Sequence, residues 1–449
     1  MKSVASPAKQ RDSEQLPARS RRGPMWLKIA VFVVSMLSAA VLCEGVLRLL
    51  GYSPPGEEVG DPVLGFTTGR NRTEIFEFPE YGGLLRVHVN NLGFFEEADT
   101  EVVKAPGSYR IVAVGDSQTA GECADNESFP NALEELLNHG LPGGNVEVIN
   151  AGAGRYSPYQ YYVKAKTQLV QLHPDQLIVG IYMGNDLMDL IRHDDRPYLT
   201  VGPGGTVVHH NPEFVMLKDP ATARSTLESL RLVALGEHVL GPSLLYQVRR
   251  AHLLAHDVEG HANSPLDVAS YMIEVKRLTD ISLGFMTQAL LQHVWFEHFP
   301  STLPTALFLN GEVMKLFREL CSANHIRLTY VLIPTKLMIE PDDFRPVLEK
   351  VARVDNRLTL GRLQRTEEQL TEATIKQCQA LGIEVINLLP ELRERRAGRR
   401  LYNPEEMHLR PVGNRAIALI LYEALSNSIV ADMRQSAAKP LGTPPGGPR

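Results

Sequence analysis

The sequence predicts an α/β protein: a three-layer α/β/α sandwich on a mostly parallel sheet of five strands, tethered by one apolar helix. Three observations carry this expectation. From Tyr109 onward, short β-branched runs alternate with stretches of helical period, the pattern of a parallel sheet with crossover helices. Polar residues capable of chemistry stand just past several of those runs, at the edge where open α/β sheets bind ligands. Ahead of all this, Trp26 to Cys43 is apolar except for Lys28 and the small Ser35 and Ser38, which is long enough to span a bilayer.

In chain order, residues 1–23 are polar and rich in Ser and Arg and predict a disordered cytoplasmic tail. Lys2, Lys9, Arg11, Arg19, Arg21 and Arg22 outnumber Asp12 and Glu14 there. The positive-inside rule therefore places the N-terminus in the cytoplasm, residues 24–50 across the membrane as a single-pass signal anchor, and the remainder outside, in the periplasm. Three other uses of this segment are weaker. Cleavage at Ser38-Ala39-Ala40 would leave an apolar run continuing to Leu42; lipidation of Cys43 would follow the bulky Leu42; and Ser20-Arg21-Arg22 as a twin-arginine signal is followed by Pro24.

Residues 51–106 are rich in Gly and Pro around short alternating stretches such as Leu84 to Val89, and predict a β-rich or irregular lead-in. The strands expected next are Arg110–Val114, Glu147–Asn150, Gln176–Tyr182, Arg327–Ile333 and Glu384–Leu388. Helical periods cover Phe129–Asn138, Gln160–Leu172, Val313–Ala323 and Thr366–Leu381, which gives a flavodoxin-like sheet within residues 107–428. Strands three and four lie about 140 residues apart, far more than a crossover needs, so a mostly helical insertion is expected at about 187–302. It hangs from the carboxyl edge of the sheet, in position to shape or cover a site. Residues 429–449 end in a Pro- and Gly-dense run and are expected to be a disordered tail.

Composition excludes some functions. The formal charge of -6 is spread along the chain, and no basic stripe follows the N-terminal flank, so a nucleic-acid partner is not expected. The four cysteines (Cys43, Cys123, Cys321 and Cys378) form no C-x-x-C pair, which argues against a zinc ribbon or redox motif. His252, His256 and His261 have a spacing that would suit a metal on one helix face, but no H-E-x-x-H motif is present; with His209-His210 in a Gly-rich turn they are expected to be solvated or locally packed. No metal or cofactor is expected. Trp295, Phe296 and Phe299 are assigned to core packing.

The strongest local signal is Val112-Ala-Val-Gly-Asp-Ser-Gln-Thr119, an apolar strand running into a polar turn that exposes Ser117. A hydroxyl becomes a nucleophile only where an imidazole can take its proton and N–H groups can meet an oxyanion. Asp116 beside it is expected to hold the turn by hydrogen bonding. Downstream come Ile149-Asn-Ala-Gly-Ala-Gly154, Met183-Gly-Asn-Asp186 and Glu405-Glu-Met-His-Leu-Arg-Pro411.

In this order of Ser, Gly, Asn and His the sequence resembles the SGNH/GDSL hydrolase family over roughly residues 84–425. The span together with Glu44, Arg48 and Asn91-Leu92-Gly93-Phe94 resembles its membrane-anchored bacterial branch. The resemblance implies Ser117 as nucleophile with its own N–H in the oxyanion hole, Asn185 as side-chain oxyanion donor, and His408 as general base. Glu405 stands where the family has Asp, three residues before the histidine, and is expected to orient His408. In the second block the family glycine aligns with Arg155 and Gly154 falls one position early, so either N–H could be the second oxyanion donor. The implied activity is hydrolysis of a carboxylic ester (an acetylated glycan, a lipid or a small ester) through an acyl-enzyme. Two rivals remain: acyl transfer to a sugar hydroxyl by the same residues, and a catalytically silent anchored glycan-binding module.

Overall fold

The computed structural model describes residues 25–49, 59–78, 83–141, 144–192, 196–211, 290–351, 356–404 and 407–438. Helix α1 (Met25–Leu49) comes first. Its stretch Met25–Leu47 is long and apolar enough to cross a membrane, and none of its most apolar window is buried. Trp26, Phe32, Leu37 and Leu42 are all exposed, the display expected of a side-chain set whose solvent is lipid.

The lead-in forms two antiparallel pairs, β1 (Val59–Asp61) with β2 (Gly65–Thr67) and β3 (Arg72–Phe78) with β4 (Gly83–Val89). Five parallel strands follow: β5 (Tyr109–Val114), β6 (Val146–Asn150), β7 (Gln176–Tyr182), then β10 (Arg327–Ile333) and β11 (Glu384–Asn387) after a small hairpin of β8 (Tyr198–Val201) and β9 (Val207–His210). Their spatial order is β11-β10-β7-β5-β6. The first strand thus has the second on one side and the third on the other, and the chain reverses its direction of winding there. Every residue of β5 and β7 is buried, as a sheet covered on both faces requires.

Because successive strand residues point to opposite faces, the core divides in two. Val112, Val114, Val179 and Leu332 pack with Val313, Phe317, Leu370 and Cys378 on one face. Ile111, Ala113, Ile178 and Val331 pack with Leu133, Leu137, Leu392, Ile417 and Leu421 on the other. The covering helices include α3 (Phe129–Gly140), α4 (Pro158–Thr167), Leu303–Ala323, Leu360–Leu381, Leu389–Arg396 and Pro411–Ala438.

The five expected strands are all present within one residue at each end. The helices deviate more. Gln160–Leu172 divides into α4, opened by a reciprocal Ser157/Gln160 capping box, and a short 3-10 turn at Leu169–Leu172. Leu303–Ala323 begins ten residues before the expected Val313, because Ala306 and Leu309 continue its buried face across Gly311. The expected disordered tail from 429 is corrected for its first part: the last helix runs to Ala438, and Ile417, Leu421, Leu425 and Ile429 form a fully buried stripe at helical spacing. The described parts of the insertion begin in the short helix Asp186–Asp189 and end in the helix Leu291–His298, and between them stands the β8/β9 hairpin, which places His209 and His210 on a strand instead of in a turn. His252, His256 and His261 lie outside the described residues.

Candidate active site

Ser117 begins α2, a single helical turn (Ser117–Ala120) reached directly from the carboxyl end of β5. Asp116 caps it, its Oδ1 accepting from the Gln118 N–H at 2.9 Å, so the expectation that Asp116 holds the turn is met. Gly115 is required by close approach, since a Cβ there would lie 2.9 Å from the Gly180 carbonyl oxygen and closer still to Thr119. Ser117 itself is only half-buried while its neighbours on both sides are buried, so its hydroxyl is the group the turn offers to solvent or substrate.

His408 comes from the other end of the chain. Its Nε2 lies 2.9 Å from Ser117 Oγ. Its Nδ1 lies 3.1 Å from Oε2 of Glu122, a residue the sequence did not single out. A proton on Nδ1, donated to that carboxylate, leaves Nε2 as the acceptor of the serine proton. Glu405, expected to orient His408, lies outside the described residues.

The histidine loop is tied down by distant groups. The buried Lys336 ammonium donates to the carbonyls of Asn403 at 2.6 Å and Pro404 at 2.8 Å, and pairs with Asp343 at 3.0 Å. Tyr402 Oη donates to the Pro334 carbonyl. Gln118 Nε2 donates to the Met407 carbonyl at 3.0 Å, joining the Ser117 turn to the loop directly.

The second block packs against the first. Ala153 N–H donates to the Gly115 carbonyl at 2.9 Å, and a Cβ on Gly152 would fall 2.3 Å from the Ala120 nitrogen, so only glycine fits there. Gly154 faces Ser117: the nearest atom to a Cβ built on it is Ser117 Cβ at 4.0 Å. Arg155 takes a left-handed φ of 65°, uncommon for a residue with a side chain, and its guanidinium lies over the Phe66 ring at 4.8 Å. Beneath this loop the buried Lys164 donates to the Ala151 carbonyl at 2.8 Å, and burial pushes its pKa down to about 7.

Asn185 follows β7, the strand paired with β5, and its Nδ2 donates to Asp189 Oδ2 at 2.9 Å. The second hydrogen of that amide is available to a further acceptor. Asp189 also pairs with the buried Arg196 at 3.3 Å, and Arg196 donates to the Arg155 carbonyl at 3.1 Å. One guanidinium thereby ties the asparagine to the second block. Two carboxyls are buried below: burial pushes Asp116 up to about 7, and burial followed by the charge of Asp116 raises Asp186 well above the usual range. Asp186 receives the Tyr161 hydroxyl and the Tyr182 N–H, both at 2.8 Å.

The structure therefore brings Ser117, Gly154 and His408 together, and sets Asn185 and Arg155 on the adjoining loops. Sequence reasoning missed Glu122, Lys336, Asp189 and Arg196, which carry no motif and owe their places to folding. Cys321 and Cys378 are buried free thiols, and Trp295 binds Thr302 while Phe296 packs in the core. Among the described residues no cluster of three or more His, Cys, Asp or Glu is placed to hold a metal. What remains is an imidazole nitrogen within hydrogen-bonding distance of a serine hydroxyl at the sheet edge.

No protein-family model matches the sequence, and no curated protein does. Among solved structures, the chain is similar to an α/β hydrolase enzyme from the metagenome of Lake Arreo, Spain, at 9% identity over 72% of this chain and 96% of that one, with a TM-score of 0.34. It is similar to a lipase/acylhydrolase from Enterococcus faecalis at 10% identity, 71% and 96% coverage and a TM-score of 0.32. A catalytic mutant of an acetylxylan esterase from Geobacillus stearothermophilus matches at 8% identity, 70% and 93% coverage and a TM-score of 0.34. At such identities and TM-scores the likeness decides nothing about the reaction, which rests on the site itself.

Proposed function

We propose that this protein is a serine ester hydrolase that acts outside the cytoplasmic membrane, to which α1 anchors it. The observation that carries the proposal is the 2.9 Å contact between His408 Nε2 and Ser117 Oγ, at the point where the sheet changes its direction of winding. His408 takes the hydroxyl proton as Oγ attacks the ester carbonyl. The oxyanion rests on the N–H of Ser117, the N–H of Gly154 or Arg155, and Asn185 Nδ2. The proton then passes from His408 to the leaving alcohol, giving an acyl-enzyme and free alcohol. Water, deprotonated by the same imidazole, releases the acid and restores Ser117. No step calls for a cofactor, and the substrate is an acetylated glycan, a lipid or a small ester.

The test is fluorophosphonate labelling of the full-length chain in detergent. Ser117→Ala is expected to abolish labelling, and His408→Ala to slow it by about 1,000-fold or more. A folded parent that does not label overturns the hydrolase and promotes the silent binding module. A labelled parent that passes acyl groups to added sugar in preference to water establishes the transferase instead.

A further inference from the structure

We infer that Glu122, five residues after the nucleophile, is the carboxylate that positions His408. The inference rests on Ser117 and His408 being the reacting pair. Its support is geometric: Glu122 Oε2 is 3.1 Å from His408 Nδ1, on the ring side opposite the 2.9 Å contact of Nε2 with Ser117. Three groups in line (carboxylate, imidazole, hydroxyl) are the arrangement in which a carboxylate fixes the Nδ1–H tautomer and stabilises the imidazolium formed during the reaction.

The backbone holds Glu122 in that place from both sides. Gly121 ends α2 with a φ of 77°, a conformation that suits glycine, and a Cβ there would meet Ser128 at 2.9 Å. Cys123 is buried and receives the Asn414 amide at 3.4 Å, which fastens the loop to the final helix. A left-handed turn on one side and a buried anchor on the other leave Glu122 facing the histidine loop, its side chain 27% exposed against 10% for His408. Asp116 is another carboxyl whose charge reaches His408, but it is fully buried and committed to capping α2. Nucleophile and acid are then supplied by one short segment, Ser117–Cys123, and only the base comes from elsewhere.

The experiment compares full-length parent, Glu122→Gln, Glu122→Asp and Glu405→Gln in detergent by fluorophosphonate labelling rate across pH, with the low-field imidazole N–H resonance followed by proton NMR. The result expected is a fall of about 100-fold in Glu122→Gln, larger than that in Glu405→Gln and partly restored in Glu122→Asp. The acid limb of the Glu122→Gln profile should move to lower pH, because the imidazolium has lost its counter-charge. A fall in Glu122→Gln under tenfold, one no larger than that in Glu405→Gln, or a fall without movement of the limb overturns the inference. If the parent does not label, the hydrolase reading has failed, and the resonance still decides the contact: it should be lost in Glu122→Gln and kept in Glu405→Gln, and the reverse overturns the inference.

Discussion

The turn that presents Ser117 and the loop that presents His408 meet at 2.9 Å, yet different kinds of interaction hold them. The turn is held mainly by its own residues and immediate neighbours: Asp116 caps it two residues on, Gly115 and Gly152 permit close approach, and Gly121 ends it. Among its described residues the histidine loop has one isolated bridge, Tyr402 to Leu409, and is otherwise held by remote groups, chiefly the buried ammonium of Lys336 and the side chain of Gln118. A nucleophile turn specified locally can be read from a few letters. A base delivered by a loop is only as well placed as the core that holds it.

The sharpest way to break this comparison is to crowd the turn. Gly152→Ala places a methyl against backbone atoms of Ala120 and Thr119 that cannot move independently, and should cost about 3 kcal/mol or more of stability, read as a fall in Tm. Gly154→Ala is its control. Its nearest neighbour is at 4.0 Å, so Tm should hold within about 2 °C, while labelling slows because the methyl stands beside Ser117. If both variants melt like the parent, the local clamp is not what holds the turn.

A smaller effect is expected from releasing the loop. Lys336→Met keeps the volume and removes three polar contacts, leaving the Asn403 and Pro404 carbonyls without their donor. Labelling should slow about tenfold with Ser117 still reactive to excess probe. An unchanged rate would show that Gln118 and the bridge at Tyr402 suffice.

The smallest expected effect is one of pH. Asp116 is raised from 3.8 to about 7 in the fold, so the stability of its protonated form is fully present below about pH 4 and is lost as pH rises through about 7. Asparagine caps a helix as well as aspartate does and does not titrate. The Tm of Asp116→Asn relative to the parent should therefore rise between pH 4 and pH 8, by about 2 °C or more. A constant difference would mean that Asp116 is ionised throughout and that another group neutralises it.

The chain by itself determined the strand order of types, the edge at which Ser117 and Asn185 stand, and the apolar helix that precedes them. Those features follow from periodicity and from residues whose roles are local: β-branched runs, a capping aspartate, glycines at close approaches. Helix ends were less legible. Gly311 hid the start of one helix, and the Pro- and Gly-dense run at the end of the chain hid the continuation of the last, although Ile429 is buried against the core. What faces His408 was decided by tertiary structure alone. Glu122 and Lys336 are, as letters, an acidic residue in a turn and a basic one after a strand. They become a partner of the imidazole and an anchor of its loop only when the final helix and the carboxyl edge of β10 bring together segments far apart in sequence, 291 residues for Ser117 and His408 and 67 for Lys336 and Asn403. Spacing in sequence carries no trace of such contacts, since they depend on where the packed sheet and helices place the loops.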